Sequence, residues 1–477
     1  MQRAMPRRKA STESSAKIEV NEASLVRLGA KRLAALLFEA SDADPVLARR
    51  LRMELLASDP IALGKEIDRQ IQALRRARAF VDWRKIGDLA KTLDGLRASI
   101  ASGLGERDPA AAAERLFAFL TLAQPSLERA DDSNGRIGDV FRDACADLGA
   151  VVALIPDATA QLGVARRAFA AADQDGYGVL DNLVAHVAAR LPAEPLSAFR
   201  ELAEAELADA AADPQGEGSF PRRRWFCARA LAAIADAQGD VDLFIAAEMA
   251  KGPRVRDDAG MAERLVRVGR PAEALALLDA AEPNPAKNTN RLEDIRIAAL
   301  DALGRKDEAQ EVRWAAFKRA LRLQPLRDLL KRIDDFDADA KEDEALQFVS
   351  AHRDVVAALV FLIEWSNLRK AGELVRARRA ELNGDYYWAF GPAAERLEDK
   401  EPLAATLLYR AMIDFALNAG RSTRYGHAAR HLVDCERLGA RIEDWGGAPD
   451  HGAYVGGLRA KHPRKSGFWS RMEPGPD

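Results

Sequence analysis

The chain has 477 residues, 48% of them hydrophobic and 30% charged, and 71 lysines and arginines against 74 acids give a formal net charge of −3. That length exceeds one compact core and predicts two or three domains or a continuous repeat array. The hydrophobic share excludes a disordered chain, and the near-neutral balance excludes a global pull towards nucleic acid or acidic lipid.

Aromatic residues make up only 6%. The long runs of Ala, Leu, Arg and Glu favour helix over sheet, because these side chains lose little freedom in a helix. The expected fold class is all-α: stacked helical hairpins, α-solenoid or tetratricopeptide-like. Cys145, Cys227 and Cys435 lie far apart in the chain, which suits a reducing compartment and excludes a disulfide framework.

Residues 1–17 read as a disordered basic tail, with no apolar run behind the charges to make a secretory signal. An N-terminal helical domain is expected over 18–160. Leu25, Leu28, Leu33, Leu36 and Leu37 form one helical stripe, and Leu89, Leu93, Leu96 and Ile100 a second. The breaks SDADP (41–45), ERDPA (106–110) and DDSNG (131–135) carry Asp, Ser, Pro or Gly where a helix must start or stop. Asp131 and Asp132 fall in such a turn, where capping explains them.

Residues 161–335 are read as a helical-repeat region. DQDGYGVLDNLV (173–184) resembles a calcium loop at Asp173, Asp175, Gly178 and Asp181. It fails at Tyr177, in the fifth position, and at Val184, where a bidentate carboxylate should close the shell. The spacing therefore predicts a helix-linking turn, with Asp181 capping a helix whose Leu183, Val184, Val187 and Leu191 face a core. PRRRW (221–225) reads as a solvated helix start, and EPNPAKN (282–288) as a further turn. RVGRPAEALALLDAA (267–281) aligns without gaps on ALGRKDEAQEVRWAA (302–316), so Gly269, Arg270, Glu273 and Ala274 match Gly304, Arg305, Glu308 and Ala309. A period of ~35 residues is close to that of tetratricopeptide helix pairs, which must stack to bury their apolar sides.

A C-terminal helical region is expected over 336–477. Its apolar run VVAALVFLI (355–363) is about half of the ~20 residues a membrane span needs, and the chain reads as cytoplasmic. In RSTRYGHAARHLVDC (421–435), His427, His431 and Cys435 recur every four residues on one helix face. Two imidazoles and a thiolate are zinc-type ligands, with His451 or His462 as a fourth, but no HExxH pattern accompanies them. Packing is the competing reading, and no cofactor is expected.

Arg410, Arg421, Arg424, Arg430, Arg464 and Lys465 form a second constellation, joined by Lys461, Phe468 and Trp469 in KHPRKSGFW. Cations interleaved with aromatics suit a phosphate-tracking surface. They equally suit a terminal helix that buries its rings and keeps its charges wet. No nucleophile with its base and no Gly-rich phosphate loop stands out, so no catalytic residue is nominated.

FVDWRKI (80–86), ERADDSNGRIGDVFRDAC (128–145), DGYGVLDNLV (175–184), ALGRKDEAQEVRWAAFKRAL (302–321), EPLAATLLYRAMIDFAL (401–417), RSTRYGHAARHL (421–432) and HPRKSGFW (462–469) together resemble a bacterial all-helical family. That family is similar to the helical region following the zinc finger in SWIM-type proteins. The resemblance implies that DGYG is a turn rather than a metal loop, and it brings no activity with it. The finger's CxC pattern does not occur in this sequence, so the expectation is a helical part that partners a separate protein. The leading expectation for function is thus a non-enzymatic scaffold for a protein partner. The alternatives are nucleic-acid association through the basic patch, or zinc binding.

Overall fold

The computed structural model describes residues 20–56, 58–212, 222–281 and 289–472. The basic tail over 1–17 and the turn over 282–288 lie outside them. The described residues are all-α, with no strand and a single isolated bridge between Val81 and Ala130. They divide into two compact units, one ending at Asp257 and the other beginning at Asp258. The division falls inside the stretch read as one repeat region.

The first unit opens with α1 (Glu22–Val26) and α2 (Ala30–Ala43). Neither contributes a buried residue. The expected stripe of Leu25, Leu28, Leu33, Leu36 and Leu37 is therefore not core: Leu25, Leu28 and Leu37 are exposed, as is Phe38 at 71%. Periodicity put these leucines on one face, which the next helix (Pro45–Leu56) covers only in part: Leu33 and Leu36 are half-buried.

Next come α3 (Pro45–Leu56), α4 (Pro60–Arg76), α5 (Ile86–Ala98) and α6 (Pro109–Leu120). Three of the four begin on proline behind an aspartate. Asp44, Asp59 and Asp108 accept hydrogen bonds from first-turn amides that have no partner inside the helix. In the second stripe, Leu93, Leu96 and Ile100 are buried and Leu89 is half-buried.

After α7 (Ala123–Glu128), α8 (Arg136–Val152) starts where Asp132 accepts the Ile137 and Gly138 amides, both at 2.9 Å. The unit closes with α9 (Ala158–Asp173), α10 (Leu183–Ala188), α11 (Ala193–Ala212), α12 (Arg222–Gln238) and α13 (Val241–Ala250). Leu183, Val184, Val187 and Leu191 are buried as expected.

The second unit runs through α14 (Asp258–Arg267), α15 (Pro271–Asp279), α16 (Thr289–Ala302), α17 (Lys306–Ala320), α18 (Leu323–Leu330), α19 (Asp335–Ser350), α20 (Val355–Glu364) and α21 (Leu368–Ala377). It ends with α22 (Tyr387–Leu397), α23 (Pro402–Asn418), α24 (Tyr425–Gly439), α25 (His451–Lys461) and the single turn α26 (Ser466–Trp469). Helices adjacent in sequence pack on one another, as in α14 with α15, α16 with α17 and α23 with α24. The apolar run of α20 lies inside the core with Phe317, Phe390, Leu397 and Phe468. Among the described residues, no helix is long and apolar enough to cross a membrane.

One stop signal recurs. At Gly269 (φ 76°) the helix ends in the left-handed region, and the next amide, Arg270, donates to the Leu265 carbonyl at 2.8 Å. Gly304 (φ 71°) does the same, with Arg305 donating to Leu300 at 3.0 Å. This is the Schellman arrangement, which satisfies orphan carbonyls and turns the chain back. Each arginine then clips the carboxylate three residues on: Arg270 to Glu273 at 2.7 Å, Arg305 to Glu308 at 2.6 Å. Ala274 and Ala309, five residues past each glycine, are fully buried.

The same bonds close at three further places: Gly239 with Asp240 to Ala235, Ser366 with Asn367 to Leu362, and Gly420 with Arg421 to Ala416. At Gly239, Gly269 and Gly304 an added Cβ would meet nothing within 4 Å, so it is the backbone angle that selects glycine. Ser366 takes φ 64° without that freedom.

Candidate anion-binding surface

The DQDGYGVLD stretch and the PRRRW stretch answer each other. Asp175 accepts the Tyr177 amide at 3.0 Å and the Leu180 amide at 2.8 Å, and Gly178 supplies a left-handed turn at φ 72°. Asp173 pairs with Arg223 at 2.9 Å, and Asp181 with Arg229 at 3.1 Å. Arg222 donates to the Asp175 carbonyl at 3.1 Å. Every carboxylate expected to face a cation in a metal loop is thus engaged by an amide or a guanidinium. One expectation changes: Asp181 does not cap α10, whose cap position is Asn182 without a side-chain bond. Arg222, Arg223 and Arg224 are exposed at the start of α12, and Arg222 and Arg223 also pair with Asp173; Pro221 lies outside the described residues.

His427, His431 and Cys435 share α24 but not a common focus. His427 is exposed, its Nδ1 at 2.8 Å from Arg430. His431 lies flat on Tyr409, ring centroids 4.8 Å apart, and burial holds its pKa below the ordinary histidine value. Cys435 is fully buried with Sγ 3.8 Å from the Thr406 carbonyl, and burial pushes its thiol up to about 12. His451 sits against Gly439 at the far end of α24, and His462 caps α25. Among the described residues, no group of three or more His, Cys, Asp or Glu side chains is placed to hold a metal ion.

Arg410 departs from the basic constellation. It is only 5% exposed, and its guanidinium lies between the rings of Trp445 (4.7 Å) and Tyr454 (4.3 Å). One nitrogen donates to the Pro449 carbonyl at 2.7 Å, while Nε and the other terminal nitrogen have no hydrogen-bond acceptor. A cation between two aromatic faces is stabilised by their quadrupoles. Here that arrangement clasps the 445–454 segment onto α23, apart from the concavity that Arg464 and Lys465 line. Beside it, Tyr454 donates to Asp414 at 2.9 Å in a cleft of about 590 Å³ lined also by Arg379, Asn383 and Asn418. Burial raises the Asp414 pKa above the ordinary aspartate value.

Among the other cations, Arg464 and Lys465 line one concavity, and Arg421 adjoins it next to Ser422. The Gly420 stop turns the chain into the short 3₁₀ segment Ser422–Arg424, so that Arg421, Ser422 and Thr423 are exposed. From the other side, the terminal segment is pinned by Phe468, which is fully buried edge-on to Tyr425 at 6.2 Å. Trp469 helps by donating to the His462 carbonyl at 2.9 Å. The bland half of the sequence reading is therefore present: Phe468 anchors and the charges stay wet.

Between these two segments lies a concavity of about 540 Å³ lined by Ser422, Thr423, Arg464, Lys465, Ser466 and Arg471. The Lys465 ammonium stands 3.6 Å from where a Gly420 side chain would begin. Arg421, Arg464 and Lys465 have no hydrogen-bonding or ion-pair partner for their side chains among the described residues. The local field is positive: after burial, the Lys461 and Lys465 charges are the largest causes lowering the His462 pKa. Arg430 stands apart, against His427.

The surface also contains residues that sequence reasoning passed over. Tyr386, Tyr387 and Trp388 are 43%, 54% and 60% exposed at the start of α22. Arg424, which follows Thr423 and precedes Tyr425 of the concavity lining, pairs with Asp385 at 2.8 Å and lies over Tyr387 at 4.4 Å. Gly384 seats this loop, since any Cβ there would lie 2.0 Å from the Ala411 carbonyl of α23. The signals were legible in principle. Three consecutive aromatics fit no single helical stripe, and neither 415–433 nor 451–472 contains an acid.

No curated protein matches the sequence. A family profile does match it, over residues 15–471, nearly the whole chain. The all-helical architecture and this coverage lead to one statement of kinship: the chain belongs to the family of unknown function DUF6880.

Proposed function

We infer that this chain is a non-enzymatic scaffold of stacked helical hairpins, tetratricopeptide-like in character, that holds a protein partner in the bacterial cytoplasm. The observation that carries the reading is the repeated stop at residues 239, 269, 304, 366 and 420, with the same φ sign and the same closing hydrogen bond. Repeated hairpins stack side by side and offer long continuous faces, which is what a partner segment needs. The exposed Leu25, Leu28 and Leu37 of α1 and α2 and the three buried, unpaired thiols fit such a protein in a reducing compartment. The resemblance to the region that follows a SWIM finger points the same way, towards a helical part that works with a second protein. The zinc reading is not carried forward, because the three ligands do not converge.

The test is cross-linking in the native host followed by capture on the tagged chain. One dominant protein partner is expected, recovered also by the purified chain from a native extract. Capture of no protein by either route would remove the reading.

A further inference from the structure

We propose that the surface formed by Arg421, Arg464, Lys465 and Arg471 together with Tyr387 and Trp388 binds single-stranded nucleic acid, the concavity taking a backbone phosphate and the aromatic residues stacking on bases. The proposal needs no protein partner, and its readout, binding of a labelled oligonucleotide by the purified chain, is independent of partner capture, so the two readings fail independently.

Charge complementarity carries the first half of the argument. In a chain of net charge −3, residues 415–433 and 451–472 hold Arg421, Arg424, Arg430, Arg459, Lys461, Arg464, Lys465 and Arg471 and not one Asp or Glu. The fold brings the two segments together, with α24 packed on α26. Most arginines elsewhere are committed, as Arg305 is to Glu308 and Arg322 to Asp294. Arg421, Arg464 and Lys465 are not. The concavity lined by Arg464 and Lys465, with Arg421 next to its edge residue Ser422, adds the hydroxyls of Ser422, Thr423 and Ser466. Cations with hydroxyl donors are the groups that receive phosphate oxygens.

The second half comes from the exposed rings. A phosphoserine peptide makes little use of exposed rings, and although Tyr and Trp also settle at lipid headgroups, the vesicle arm of the test separates that source. A single strand uses the rings, because every base offers a face to an aromatic ring. A duplex hides its bases and gains only the charge contacts. Arg424 is already taken by Asp385 and serves instead to hold Tyr387 next to the concavity.

The measurement is fluorescence anisotropy of a labelled oligothymidylate of about 15 nucleotides with the full chain, since such sites span ~4–16 nucleotides. Three uncommitted cations predict a log–log salt slope of about −2, so affinity falls roughly 20-fold between ~50 and ~200 mM salt. The triple variant Arg421→Gln, Arg464→Gln, Lys465→Gln is expected to abolish detectable binding while melting at the wild-type temperature. Trp388→Ala is expected to weaken binding about fivefold or more, with the salt slope unchanged.

No binding at low salt would overturn the proposal. So would binding that survives the triple variant, or a duplex of equal length bound as tightly as the strand and indifferent to Trp388→Ala. Preferential binding of phosphatidylserine vesicles or of a phosphoserine peptide would overturn it in favour of those ligands. Should the triple variant melt early, Arg464→Gln alone must lower both affinity and salt slope, or the assignment fails.

Discussion

Exchanging the two residue types used at the helix stops gives a test with opposite signs. Gly304 has φ 71° and open space where a Cβ would go, so Gly304→Ala brings no clash and only a backbone cost. Holding an L-residue in the left-handed region costs roughly 1–2 kcal/mol. Restricting the unfolded chain returns about 0.4–1 kcal/mol, leaving a net loss near 1 kcal/mol. Ser366 already bears that cost at φ 64° and is exposed, so Ser366→Gly should gain about 0.5 kcal/mol after the greater entropy of glycine is subtracted.

Both positions lie in the unit that begins at Asp258. For a body of this size, 1 kcal/mol moves Tm by roughly 2–4 °C. Urea melts followed by far-ultraviolet circular dichroism, read at the transition of that unit, should show Gly304→Ala below wild type and Ser366→Gly above it. Equal signs for the two variants would refute the idea that one left-handed stop is used at both sites.

Other expectations follow from the same fold. All three cysteines are buried, with Cys145 and Cys435 pushed up to about 12 and Cys227 up to about 11 by burial, so a thiol reagent should label none at pH 8 in the folded chain and all three in denaturant. Fast labelling of the native protein would contradict the packing. His431 has its folded pKa lowered by burial, so the unfolded chain takes up a proton first as pH falls below ~6.5. Stability is fully present above that pH and drops beneath it, and His431→Phe should flatten this part of a Tm-versus-pH curve. Gly384→Ala must push its loop off α23 and should cost about 1–3 kcal/mol; an unchanged melt would deny the close approach. Leu37→Asp should change Tm negligibly, because that leucine is 43% exposed on a helix with no buried residue.

The helices were readable because 3.6-residue periodicity and Asp-Pro starts are local properties, settled within a few residues. Whether a stripe is covered is not local, and α1 and α2 show the difference. Their leucines align as well as those of α5, but α5 is packed against α3 and α8 and buries its stripe, while α2 meets α3 and leaves Leu33 and Leu36 only half-buried. The recurring helix stop was half legible for a similar reason. Glycine announces the left-handed stop at 269 and 304, while Ser366 takes the same backbone angle under a different letter. Arg410 reads in sequence like its basic neighbours, and only the rings of Trp445 and Tyr454, brought from 35 and 44 positions away, turn it inward. The loss of the zinc focus is a matter of direction: spacing put three donors on one side of α24, yet one faces water, one a ring and one the core.

The helix stop closes its hydrogen bonds within six residues, so it asks nothing of the rest of the chain. A lineage could therefore lengthen or shorten such a protein by whole helix pairs without reworking the joints on either side. The only requirement is that each newly adjoining pair offer a compatible greasy flank. Size variation among relatives should thus come in steps of one hairpin, with breakpoints just past the left-handed residue.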